Sequence, residues 1–138
     1  MLAEVAELPG AAIRRLESEV RALPQVEIPI AHTFGPGFYG RTITIPAGAT
    51  VVGKVHATEH IFILSKGELA VATEDGGQVL RAPFQQVCRP GLKRAGHALT
   101  ECVVTNIHVT DTTDLDALEA ELIQPEALSF EAPSALVA

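Results

Sequence analysis

Lys54, His56, His60 and Arg94 are the side chains best suited to chemistry in this sequence. Imidazole binds divalent transition metals, and a first-row ion needs three or four deprotonated N, O or S donors converging beside an open position. His56 and His60 supply two donors, and Glu59 or His97 could join them if the local register differs. Lys54 and Arg94 oppose such a site. Arginine stays protonated near neutral pH and lysine loses its proton only at considerable cost, so both repel a cation. The expectation is therefore no metal and no other cofactor, with Lys54, His56, His60 and Arg94 forming a hydrogen-bonded polar plug. The alternative is one divalent transition metal held by His56 and His60. The string His56-Ala-Thr-Glu59-His60 would serve metal-assisted hydrolysis only on a helix, which brings both histidines to one face. Val51, Val52, Val55, Ile61 and Ile63 around it favour strands, and Gly53 weakens a helix further. Glu74 and Asp75 fall at a turn tip, and Ser65 lacks a glycine-framed elbow. Cys88 and Cys102 lie in apolar runs and read as buried thiols, while His32 and His108 stand isolated as ordinary surface or core residues. No catalytic residue is assigned.

The elements that must position this cluster are short β-branched runs: RTITI, TVVGKV, IFIL, ELAVAT, VLRA and CVVTNIHVT. Turns separate them at Pro46-Ala47-Gly48, Ser65-Lys66-Gly67, Asp75-Gly76-Gly77 and Arg89-Pro90-Gly91. About eight strands at this spacing close as a sandwich or jelly roll. The apolar run Ile61 to Leu64 suits a strand covered on both faces. Ile13, Leu16, Val20 and Leu23 recur at helical spacing, with Arg14, Glu17 and Arg21 on the other faces, and Pro24 stops that helix. Leu115, Leu118 and Leu122 mark a second helix, to about Ile123, behind Thr113 or Asp114 as N-cap. The chain divides into an N-terminal arm and helix (1–30), a β domain (31–110) and a C-terminal helix and arm (111–138).

The glycine and ligand spacing resembles the cupin superfamily. Gly48 precedes Lys54 by six positions, His56 follows by two, His60 by four more, and Gly67 closes the motif seven residues later. The resemblance implies metal ligands at Lys54, His56 and His60, where His, His and Glu are usual. The proline turn of the second motif resembles Arg89-Pro-Gly-Leu-Lys-Arg94, and its histidine position holds Arg94. The fold class implied is all-β, a cupin-like β jelly roll with short N-terminal and C-terminal helices, whose mouth would carry the cluster of Lys54, His56, His60 and Arg94.

Charge narrows the partners. Asp plus Glu number 17 against 10 Lys plus Arg, a formal charge of -7, which disfavours attraction to nucleic acid. No run approaches the ~18 apolar residues of a membrane helix, and the first residues do not resemble a secretory signal. The IPAG turn, the KVH-x-x-EH segment and the PGxKRAG turn resemble small cupin-like proteins of tailed bacteriophages. That resemblance implies a capsid cement or decoration protein, made in the host cytoplasm and located on the virion, with the major capsid protein as partner. Leu2, Val5, Leu128, Phe130, Leu136 and Val137 are the contacts it assigns to the two arms. A twofold homodimer is also expected, with Val26 to Ile30 as an edge or exchanged strand. The alternative is a small cupin enzyme or sensor, metal-dependent or epimerase-like, acting on a small anionic ligand in the barrel.

Overall fold

The computed structural model describes residues 10–73 and 76–123. These hold two antiparallel sheets and two helices. Strands β1 (Ile30–Gly35), β2 (Phe38–Ile45), β9 (Cys102–Val109), β4 (His60–Lys66) and β7 (Phe84–Cys88) form one sheet in that order. Strands β3 (Thr50–Val52), β8 (Arg94–Ala98), β5 (Glu68–Thr73) and β6 (Gly76–Arg81) form the other. Helix α1 is Gly10–Ala22 and helix α2 is Leu115–Leu122. The proposed arm contacts Leu2, Val5, Leu128, Phe130, Leu136 and Val137 lie outside the described residues. Among the described residues no helix is long and apolar enough to cross a membrane.

Period-two alternation builds the barrel interior. Strand β9 sends Cys102, Val104, Asn106 and His108 inward, while Val109 stays exposed at its end. Ile43, Phe62, Leu64, Val104, Leu69 and Val51 form the core between the sheets. Ile61 is 41% exposed, so the run Ile61 to Leu64 is covered on one face only. Helix α1 lays Ile13, Leu16 and Val20 on Val52, Ala72 and Ala95. Each such side chain contributes about 1.5–3 kcal/mol on burial, which docks a helix too short to persist alone. Glu17, expected on the polar face, is instead buried and accepts from Lys93 Nζ at 3.1 Å. Paired charges satisfy each other where either alone would be costly to bury.

Two expectations shift. Strand β3 stops at Val52, so Gly53 to Val55 lie outside regular structure and the run TVVGKV is only half a strand. Of Val26 to Ile30, only Ile30 enters a strand. Pro29 has no N–H to give a ladder, although its carbonyl accepts from Thr44 N at 3.2 Å. The sheet edge falls one element later, on β1.

Candidate functional site

Three histidines meet in the barrel. His56 lies in the connection between β3 and β4, and its backbone is held from two sides. Its carbonyl accepts from Gly91 N at 3.0 Å, and it bridges Ile123 just after α2. His60 opens β4 opposite Cys88 of β7. His108 lies near the end of β9, opposite Tyr39 of β2. The ring centroids are 4.3 Å apart for His56 and His60, 5.1 Å for His56 and His108, and 4.9 Å for His60 and His108. One nitrogen from each lies within 4.8 Å of the other two. All three residues are at least 93% buried, with relative exposures of 7%, 5% and 3%.

His108 is therefore neither isolated nor satisfied, contrary to the sequence expectation. Its Nδ1, the Nδ1 of His56 and the Nε2 of His60 are buried without a hydrogen-bond partner. The His60 tautomer follows from its surroundings. Its Nδ1 lies 3.3 Å from the Thr58 carbonyl oxygen, which only accepts, so Nδ1 carries the proton and Nε2 presents a lone pair. Burial drives the pKa of His56 down to about 2, assisted by His60, His108, Arg94 and Arg41 in that order. Burial likewise takes His108 down to about 4, with His60 and Arg41 adding to the effect. His60 is also lowered by burial, against the raising effect of its bond to Thr58. All three rings are neutral at neutral pH, which is the form that ligates metal.

Lys54 and Arg94 lie near His56, and each is also engaged by a partner of its own. Lys54 Nζ pairs with the Glu119 carboxylate of α2, so it anchors the helix and does not occupy the ligand position its spacing implies. Arg94 opens β8 at the barrel wall and is partly buried. Its guanidinium sits 4.7 Å over the Phe62 ring, and Nη1 donates to Cys88 Sγ at 3.2 Å. Glu59 is exposed, and His97 Nδ1 is 2.8 Å from Thr50 Oγ1 on the other sheet, so neither joins the histidines. Residues 57–59 are loop, and no helix supports the hydrolase string.

Helix α2 covers the mouth on this side. Leu118 and Leu122 pack on Tyr39, and Glu121 accepts from the hydroxyls of Thr110 and Thr112 at 2.6 and 2.9 Å. Asp114 is the N-cap, accepting from Ala117 N. Beneath the helix is a cavity of about 160 Å³ bordered by Tyr39, Arg41, His56, Asn106, His108 and Leu118. A second chamber of about 50 Å³ lies farther inside, bordered by His56, Asn106, Arg94, Phe62 and aliphatic residues including Ile43 and Val71. Lys54, His56 and Asn106 border both. The Tyr39 hydroxyl lies 2.7 Å from His32 Nδ1, and burial raises the Tyr39 pKa, so this phenol keeps its proton at the cavity wall.

No family profile matches the sequence, and no curated protein is similar to it. Solved structures are similar in fold. A cupin-2 domain protein from Shewanella frigidimarina aligns at 18% identity with a TM-score of 0.51, covering 69% of this chain and 92% of that one. A DMSP lyase from Ruegeria pomeroyi aligns at 14% identity and a TM-score of 0.54, covering 64% of this chain and 49% of the lyase. An acetylacetone dioxygenase from Acinetobacter johnsonii aligns at 19% identity and 0.50, covering 59% of each chain. This chain thus spans about half to three-fifths of the two enzymes. At these identities the likeness establishes the cupin jelly-roll fold and nothing finer.

Proposed function

We propose that this cupin-fold chain is a small metal-dependent enzyme whose ion is held by His56, His60 and His108. One observation carries the proposal: three buried, neutral imidazoles lie with one nitrogen of each within 4.8 Å of the others, and each ring has a buried nitrogen without a hydrogen-bond partner. Leaving a buried polar atom unsatisfied costs about 1–3 kcal/mol, so three in one place call for a ligand that the protein itself does not provide. The donor set fits a divalent first-row ion, for which imidazole is a preferred ligand. Such an ion, when bound, supplies Lewis acidity toward an oxygen-bearing ligand.

The chain's own residues do the rest. Thr58 fixes the tautomer of His60, as outer-shell carbonyls do for ligating histidines. Gly91 and Ile123 fix the backbone of His56. Leu118 and Leu122 form an apolar wall over the cavity with Tyr39, which holds a proton there. The dioxygenase and lyase support the proposal to the extent that their fold carries enzymes.

The capsid clamp depends on arms outside the described residues, and nothing in the comparisons points to a virion role. A twofold dimer remains compatible with the enzyme. Ile61 and Val87, cross-strand neighbours 41% and 60% exposed, offer it an aliphatic outer face. Val87→Lys is expected to convert the dimer to monomer in sedimentation velocity. An unchanged dimer would remove this face from consideration.

Elemental analysis tests the proposal itself. The untagged full chain, stripped with chelator and dialysed against Zn(II), Fe(II), Mn(II) or Ni(II), is expected to retain close to one ion per chain of at least one of these. Marginal retention of all four would overturn the proposal.

A further inference from the structure

We infer that Arg94 is the anchor for a short-chain carboxylate, of the hydroxy-acid or oxo-acid type, held in the inner chamber that His56 also borders. The inference deepens the metal-dependent proposal and rests on it for the second contact of the ligand, though not for the first.

Arg94 is an unusual charge to find inside a barrel. Its guanidinium touches the face of Phe62 and the thiol of Cys88, and no carboxylate among the described residues pairs with it. A ring face and a sulfur acceptor compensate this partly buried cation incompletely, since charges withdrawn from water normally require an ion pair with further hydrogen bonds. Burial accordingly pushes this guanidinium below its ordinary pKa, although it remains protonated. Among the described residues no carboxylate borders the inner chamber, and Lys54 borders it as a second cation. The three histidines are neutral, and a divalent ion on them would add two further positive charges to the same interior. An anion is the missing component, and a planar carboxylate matches the donor fork of arginine.

A second observation points to a ligand independently. Asn106 is 4% exposed, its Oδ1 is buried without a partner, and it borders the same chamber as Arg94 and His56. An orphaned acceptor there calls for a donor, which a hydroxyl on the ligand provides. Size then limits the class. A chamber of about 50 Å³ takes roughly three to five heavy atoms, by the ~10–15 Å³ that one water-sized group requires. Access follows from the topology. The edges of β6 and β7 do not pair, and the gap beside them holds a cavity of about 500 Å³ that Arg94, Cys88, Gln78 and Gln86 border. Arg94 thus faces both this outer cavity and the inner chamber. An anion can reach it from the side while α2 keeps the mouth closed.

Glycolate and its uncharged amide glycolamide are suitable probes, used with the full chain in both metal-loaded and chelator-stripped forms. Calorimetry is expected to show glycolate binding the loaded protein at least ~10-fold more tightly than glycolamide. Arg94→Met should abolish that preference, and Arg94→Lys should restore part of it. Arg94→Met is also expected to raise the melting temperature of the ligand-free protein, because it removes a partly buried charge that no carboxylate among the described residues pairs; a merely structural cation would lower it. Metal retention, measured on the same samples, separates the two proposals. If glycolate still prefers wild type over Arg94→Met in chelator-stripped protein that retains no metal after reloading, the anchor stands and the metal site fails. Equal binding of glycolate by wild type and Arg94→Met, with metal retained in both, overturns the anchor and leaves the metal site intact.

Discussion

Replacing His108 with alanine is expected to weaken Zn(II) or Ni(II) binding by at least ~100-fold while leaving the barrel folded. Loss of a residue that merely orients a ligand costs about 10–100-fold in metal affinity, and His108 is placed as a ligand. Its contribution cannot be taken over by a neighbour. Glu59 is exposed, His97 is committed to Thr50, and Lys54 to Glu119. His56→Ala and His60→Ala should behave alike, because an ion left with two imidazoles loses the convergent set. His97→Ala serves as a control and should bind metal as wild type does. Competition titration against a chromophoric chelator reads the affinities, and far-UV circular dichroism checks the fold. If His108→Ala retains wild-type affinity, the ion is bound elsewhere and the assignment of ligands is wrong.

The metal-free protein is expected to be acid-labile well above the pH at which carboxylates protonate. The ordinary histidine pKa of 6.5 falls to about 4 for His108 and about 2 for His56 in the folded chain. A folded pKa below the unfolded value means that, as pH drops past 6.5, the unfolded chain takes up protons that the folded chain refuses. Stability then declines with falling pH, by about 1.4 kcal/mol per unit for each such group. For His108 the loss levels off near pH 4, and for His56 it continues toward pH 2. Both shifts act in the same direction between pH 6.5 and about 4, so their effects on stability reinforce each other. Urea midpoints should therefore fall steeply between pH 6.5 and 4.5, and His56→Ala/His108→Ala should flatten the curve. Saturating metal opposes the trend, adding about 4 kcal/mol at a thousandfold excess over Kd. A wild-type midpoint that is level over this range would show that the rings protonate freely and are not buried as described.

The strands rich in β-branched residues were legible because alternation and local propensity agree there: β2, β5 and β9 fall on RTITI, ELAVAT and CVVTNIHVT. Strands β1, β7 and β8, with the sequences IAHTFG, FQQVC and RAGHA, carry glycine, alanine or glutamine in place of β-branched runs. Their extended state comes from pairing with β2, β4 and β5, a tertiary effect that outweighs local preference. The histidines divide in the same way. Period two within CVVTNIHVT already places His108 on the face of Cys102, Val104 and Asn106. Its approach to His56 and His60 depends on β9 lying between β2 and β4, a non-local fact with no trace in spacing. Lys54 illustrates the converse. Motif spacing sets it at a ligand position, but Glu119, 65 residues away, draws its ammonium to α2.

X-ray absorption at the metal edge of the reconstituted full chain measures the ligand set directly. The predicted spectrum shows a nitrogen and oxygen shell with the multiple-scattering pattern of three imidazoles and no sulfur, and one imidazole fewer in His108→Ala. A shell of water and carboxylate oxygens, or one containing Cys88 sulfur, would contradict the assignment of His56, His60 and His108 as the metal site.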